Sequence, residues 1–143
     1  MNIRQISSRE EIYKVLLSCK NDFFSMQMHD ENKLREFADK YSRNAIVFVA
    51  EENKDVLGFI AFYANDLATR CAFISSIIIR RLYQDKGIGS QLIDKAEEYA
   101  KLNEMIDVAL EVDRTNMRAI NFYRKKGYDF DNNTMCMMKK HIL

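Results

Sequence analysis

The chain has 143 residues, the size of one ordinary domain, and 48% of them are apolar, enough for a real core. Its 22 basic and 21 acidic residues are mixed along the chain and leave a net charge of +1, so nucleic acid is not expected as a main partner. No apolar stretch reaches bilayer length and the N-terminus lacks a signal-peptide pattern, so the expectation is a soluble, cytoplasmic protein with no membrane partner.

Met1 to Ile6 reads as a first strand. Ser8-Arg9-Glu10-Glu11 matches a capping box, and Ile12, Val15, Leu16 and Cys19 follow at helical spacing. A second helix begins near Asp30 with Leu34, Phe37, Ala38 and Tyr41 on one face. Ala45 to Ala50 and Val56 to Ala64 form a hairpin around the polar stretch from Glu51 to Asp55, and Thr69 to Ile79 is a further strand ending in Ile77-Ile78-Ile79. Gly87-Ile88-Gly89 opens a helix whose stripe is Ile88, Leu92, Ile93, Ala96, Tyr99 and Ala100. From Ile106 to Val112 apolar residues alternate, leaving Asp107, Ala109 and Glu111 on the other face. Asn116 to Lys126 is a helix closed by Gly127 in a left-handed cap. Tyr128 to Phe130 and Thr134 to Met138 are the last strands.

Proline is absent, and only Gly58, Gly87, Gly89 and Gly127 occur. Nothing reads as linker or repeat, so residues 1–143 are expected to form a single domain, a mixed sheet with helices packed on it. Cys19, Cys71 and Cys136 are odd in number and lack metal-ligand spacing to His29 or His141. Buried reduced thiols and no metal site are expected.

The segment Gln84-Asp85-Lys86-Gly87-Ile88-Gly89 lies between a strand and a helix. Glycines allow a tight turn and close approach to the amides, and a helix N-terminus offers free N–H groups and positive potential to an anion. Taken alone, a Gly-x-Gly before a helix is also an ordinary tight turn. The loop is neither a Walker motif nor a dinucleotide fingerprint.

Two blocks give the segment a family context. Ile79 to Leu92, with Gln84, Gly87 and Gly89 in the fixed positions of Gln/Arg-x-x-Gly-x-Gly/Ala, resembles the acetyl-CoA motif of the GNAT superfamily of N-acetyltransferases. Downstream, Leu110-Glu111-Val112, Asn116, Ala119, Phe122-Tyr123 and Gly127-Tyr128 resemble that family's Leu-x-Val, Asn, Ala, Phe-Tyr and Gly-Phe block. The resemblance covers about residues 45–130; the first 44 residues fit by element order only. Arg81 stands where the family often has proline, a departure expected to cost little because only a loop φ angle is involved.

The resemblance implies an α/β (α+β) fold. Its central sheet is mixed but mostly antiparallel, of about seven strands, flanked by about four helices, and splayed between the parallel strands that end near Ile79 and Val112. It implies an enzyme that transfers an acetyl group from acetyl-CoA, its co-substrate, directly to a primary amine. The main chain of Ile77, Ile78 and Ile79 would pair with the pantetheine arm, and Gln84, Asp85, Lys86, Gly87, Ile88, Gly89 and Ser90 would hold the pyrophosphate. Tyr123, near the cofactor sulfur, would be the general acid toward the thiolate; its other reading is an amphipathic tyrosine packed on a buried helix face. Asn116 reads equally as a helix N-cap and as a cofactor contact. Glu111 is the candidate base, set against a solvated or salt-bridged strand glutamate. Ser75 and Ser76 lie where some relatives carry an acidic base, which favours a water chain.

The acceptor is less legible. Asp22, Phe23, Phe24, Met26, His29, Asp30, Tyr63 and Asn65 are candidates for lining its cleft, with Asp22 or Asp30 suited to an ammonium. A small-molecule amine is the leading reading, with a protein N-terminal or lysine acetyltransferase as the alternative and a non-catalytic acyl-CoA-binding module as a third. The apolar final strand around Met135, Met137 and Met138 either pairs with a neighbour in a homodimer or closes the chain's own sheet.

Overall fold

A computed structural model describes residues 1–131 and 136–143. Strand β1 (Asn2–Ile6) leads into helix α1 (Arg9–Ser18), whose N-cap Ser8 accepts the Glu11 N–H at 3.1 Å. The expected capping box is half made, because the Glu11 carboxylate turns to Arg4 at 2.6 Å instead of returning to Ser8. Short 3₁₀ turns at Lys20–Asp22 and Met26–His29 precede α2 (Glu31–Asn44), capped by Asp30.

Strands β2 (Ile46–Glu52) and β3 (Asp55–Tyr63) meet at a two-residue turn. Asn53 and Lys54 both have positive φ, 51° and 70°, the twist that matches a hairpin. The strands therefore run further into the polar stretch than its composition indicates. Next come β4 (Cys71–Ile79), α3 (Ile88–Leu102), β5 (Asp107–Glu111), α4 (Met117–Lys125), β6 (Asp129–Phe130) and β7 (Met137–His141).

These strands form one seven-stranded sheet in the order β1-β2-β3-β4-β5-β7-β6. Within it β4 and β5 pair in parallel and the other pairs are antiparallel. Strand alternation divides the interior into two layers. Phe48, Ile60, Phe62, Val108 and Leu110 face α3 and α4. Val47, Val49, Phe59 and Ala61 face α1 and α2, where Ile12, Leu16, Leu34 and Tyr41 complete the core.

Two irregularities shape the site. The β4–β5 ladder runs only from Cys71↔Asp107 to Ile74↔Leu110, so among the described residues the rest of β4 lacks a strand partner on that side. On the other side, Phe62 pairs with Ile74 and Ala61 with Ser76, which leaves Ser75 as an extra residue in a β-bulge.

Two expectations are corrected and one open alternative is decided. Strand β7 extends to His141 instead of ending at Met138; Thr134 and Met135 lie outside the described residues. It runs between β5 and β6, so the final strand closes the chain's own sheet instead of offering its edge to a neighbour. Of the cysteines, only Cys19 is buried; Cys71 is half-buried and Cys136 exposed, because an apolar local run does not fix which face a residue takes. Among the described residues no helix is long and apolar enough to cross a membrane.

Candidate active site

At the end of β4 the chain makes a 3₁₀ turn at Arg81–Tyr83, then passes through Gln84 and Asp85 to Gly87, the N-cap of α3. The Gln84 side chain donates to the Ile79 carbonyl at 3.0 Å and so ties the loop back to the strand. Asp85 (φ 64°) and Gly87 (φ 80°) take left-handed conformations that reverse the chain. The first α3 hydrogen bond of the helix runs from Gln91 N–H to Gly87 O at 3.1 Å. Among the described residues, the N–H groups of residues 85–90 have no hydrogen-bond partner, and no side chain caps them. A run of free amides at the positive end of a fifteen-residue helix is a cradle for an anion.

The two glycines act differently. A Cβ on Gly87 would meet nothing within 4 Å, so its requirement is the positive φ. On Gly89 a Cβ would lie 3.2 Å from Phe122 Cζ, so Gly89 lets α3 approach α4 closely. Three loop side chains are engaged within the chain. Besides Gln84, Asp85 accepts from Arg118 at 3.1 Å and Ser90 accepts from Lys126 at 2.8 Å. The Lys86 ammonium sits 5.9 Å from the centre of the Tyr83 ring.

Ile77, Ile78 and Ile79 run straight into this loop, paired with Ile60, Phe59 and Gly58 of β3 on one side and, among the described residues, with no strand on the other. Ile77 and Ile79 pack toward α3, Ile78 toward α1 and α2. The core reading of these side chains thus holds together with an open main-chain edge.

Tyr123 lies in the last turn of α4, 9% exposed, its ring 6.1 Å from that of Tyr128 in an edge-on contact. Its hydroxyl makes no hydrogen bond among the described residues, and burial pushes its pKa up to about 12. The Asn116 side chain caps α4 by accepting the Ala119 N–H at 3.3 Å. Glu111 ends β5, opposite Met137. It is exposed, and its carboxylate has no hydrogen bond or ion pair among the described residues. Val108 and Leu110 point into the α3 layer, which puts Glu111 on the opposite sheet face.

On that face the structure joins Ser75 and Ser76, the serines that favour a water chain, to Tyr41, which was not singled out as a site residue. The Tyr41 hydroxyl lies 2.7 Å from Ser75 Oγ and 2.9 Å from Ser76 Oγ. The bulge turns both serines to one side. Tyr41 was legible only as part of an apolar stripe, although a buried tyrosine hydroxyl needs a partner somewhere. The Tyr63 ring packs edge-on to Tyr41, and its buried hydroxyl has no partner among the described residues. Burial raises the pKa of both phenols.

The acceptor candidates divide. Asp22 accepts the Arg81 N–H and Asp30 the Asn32 N–H, so both carboxylates suited to an ammonium are already engaged with backbone. Phe23 is core, against Phe59, and His29 Nε2 lies 2.9 Å from the Phe23 carbonyl. Phe24, Met26 and Asn65 are exposed.

A family model described as the acetyltransferase (GNAT) family matches residues 9–128. The chain belongs to this family. Among curated relatives, an uncharacterized N-acetyltransferase, YhfO of Bacillus subtilis (strain 168), is 26% identical over 144 residues, covering 92% of this chain and 91% of its own. Among solved structures, the PaiA N-acetyltransferase of Thermoplasma acidophilum, in complex with coenzyme A, superposes with a TM-score of 0.77 at 18% identity over 99% of each chain, a likeness of fold. A putative streptothricin acetyltransferase of Bacillus anthracis (strain Ames), in complex with acetyl coenzyme A, has a TM-score of 0.63 at 26% identity, covering 72% of this chain and 66% of its own. For a GNAT acetyltransferase, the free amides at α3 and the open β4 edge lie on one continuous stretch of chain, residues 75–90.

Proposed function

We propose that this GNAT acetyltransferase transfers the acetyl group of acetyl-CoA to the primary amine of a small molecule, binding the donor along β4 and the α3 N-terminus. The run of free amides at residues 85–90 carries this reading. A pyrophosphate matches it in charge and in its number of acceptor oxygens. The open edge of Ile77–Ile79 suits the amides of a pantetheine arm, which would extend the sheet by backbone hydrogen bonds.

Acetyl-CoA supplies an activated acyl group and a thiolate leaving group. The chain's residues have three tasks. The main chain of Ile77–Ile79 and the cradle of Gln84–Ser90 hold the donor, and Asn116, while capping α4, adds a contact to it. A backbone N–H of the β4 edge polarises the thioester oxygen. Tyr123, protonated at neutral pH because burial disfavours its phenolate, donates a proton to the departing sulfur. Glu111 accepts the proton of the attacking amine, directly or through water, since among the described residues no cation pairs with it.

Similarity to the streptothricin acetyltransferase favours a small-molecule acceptor. A protein N-terminus is the second reading, favoured by Glu111 in its Leu110-Glu111-Val112 setting. The test is a panel of glucosamine, lysine, spermidine, streptothricin and an alanine-terminated peptide, followed by coenzyme A release and product mass. Acetylation of a small amine is expected. Preference for the peptide would replace it with the protein reading, and coenzyme A release without any acetylated product would sink both.

A further inference from the structure

Tyr123 is tied to the helix that carries the phosphate cradle. Ser90, Asp94 and Glu97 of α3 recur at positions i, i+4 and i+7 and so share one face. The first two meet Lys126, whose ammonium donates to Ser90 Oγ at 2.8 Å and to Asp94 Oδ1 at 2.6 Å. Glu97, 8% exposed, accepts from the Tyr128 hydroxyl at 2.8 Å and from Lys140 at 2.9 and 3.1 Å. Gly127 lies between these anchors, and a Cβ there would come within 3.3 Å of Lys140 Cε.

Tyr128 is held from three directions. Its N–H donates to the Tyr123 carbonyl at 3.0 Å, its ring meets the Tyr123 ring edge-on, and its hydroxyl is fixed by Glu97. Among the described residues Glu97 is the one buried side chain that is acidic or basic. An apolar contact of the same volume would often be as stable or more so, because burying a carboxylate carries a large desolvation cost. What a directional polar tie adds is a fixed ring position.

We propose that Tyr128 and Glu97, with Lys126 and Lys140, are positioning residues that hold the Tyr123 hydroxyl in register with the donor bound at the N-terminus of α3. This rests on the reading of Tyr123 as the acid toward the thiolate. Small displacements of a reacting group cost up to about a hundredfold in rate. The clasp therefore acts on proton donation and leaves the phosphate cradle unchanged.

The test uses coenzyme A labelled with carbon-13 beside its sulfur, so that NMR titration reads the pKa of the bound thiol without an acceptor. Tyr123→Phe removes the hydrogen bond to the thiolate and is expected to raise that pKa by about one unit. Tyr128→Phe, which deletes one oxygen, is expected to raise it by about half as much. Glu97→Gln should act in the same direction. On a Tyr123→Phe background neither should add a further shift, while coenzyme A affinity stays within about twofold throughout. A Tyr128→Phe shift of zero, or one that adds in full on that background, would overturn the proposal while leaving Tyr123 as the acid. No shift in Tyr123→Phe itself would overturn the acid reading. Thermal melts identify any variant that has lost its fold, and Lys126→Met probes the same clasp from its outer end, with a smaller rise expected and no rise counting against it.

Discussion

The Asp22 carboxylate accepts the backbone N–H of Arg81 at 3.1 Å, joining the segment between α1 and α2 to the turn that leads into the phosphate cradle. A proline at position 81 would lack this donor. That arginine in place of proline costs little is consistent with this bond, but more than a φ angle is involved, because here the N–H itself is used. Arg81→Pro should lower stability by about 1 kcal/mol, as should Asp22→Ala, and the double variant should lose little more than either alone. Urea melts measure all three.

The two cradle glycines should respond differently to alanine. Gly87→Ala forces a side chain into a left-handed conformation at φ 80° and should cost about 1 kcal/mol. Gly89→Ala brings a methyl to 3.2 Å from Phe122 and pushes α3 from α4. Its larger effect should be on the Michaelis constant for acetyl-CoA, with the amine constant little changed. Steady-state kinetics with each substrate varied in turn distinguishes the two.

Asn116 carries a cap that is visible and a donor contact that is proposed. Asn116→Ala should destabilise by about 1 kcal/mol. Asn116→Ser keeps the cap, so a rise in the acetyl-CoA Michaelis constant that persists in the serine variant reports the donor contact. Restoration of both stability and kinetics by serine would leave capping as its whole role.

Much of this was legible from periodicity and motif. Leu34, Ala38 and Tyr41 repeat at helical spacing, and the structure buries all three. Gly87 and Gly89 marked the turn into α3. The tertiary partners were not legible, because they join residues far apart in the chain. Glu97 sits beside Ala96 and Ala100 on the buried stripe of α3, but nothing local names Tyr128 and Lys140 as its partners. The bulge at Ser75 is equally silent: in Ile74-Ser75-Ser76-Ile77 no glycine or proline marks an extra residue, and it arises from register with β3. Asp22 and Asp30 looked available to an ammonium because sequence shows charge and not the backbone donors that occupy it.

The Tyr123 phenol gives a pH prediction. Its folded pKa, about 12, lies above the ordinary tyrosine value of 10.0 that the unfolded chain takes. The neutral phenol is favoured in the fold, so the contribution is full below about pH 10 and is lost as pH rises toward about 12. Tyr123→Phe should therefore reduce the alkaline loss of stability in that window. As the acid, Tyr123 stays protonated across neutral pH, so turnover should show no basic limb below about pH 10 that the Phe variant abolishes. Melts and pH–rate profiles of the two proteins test both statements.

The central claim is that the donor's pyrophosphate is held by the main chain at the start of α3. A crystal structure of the protein with acetyl-CoA tests it most directly. The expected result is pyrophosphate oxygens within hydrogen-bonding distance of the N–H groups of residues 85–90, with the pantetheine arm along Ile77–Ile79. Pyrophosphate bound elsewhere, with those amides left to solvent, would contradict it.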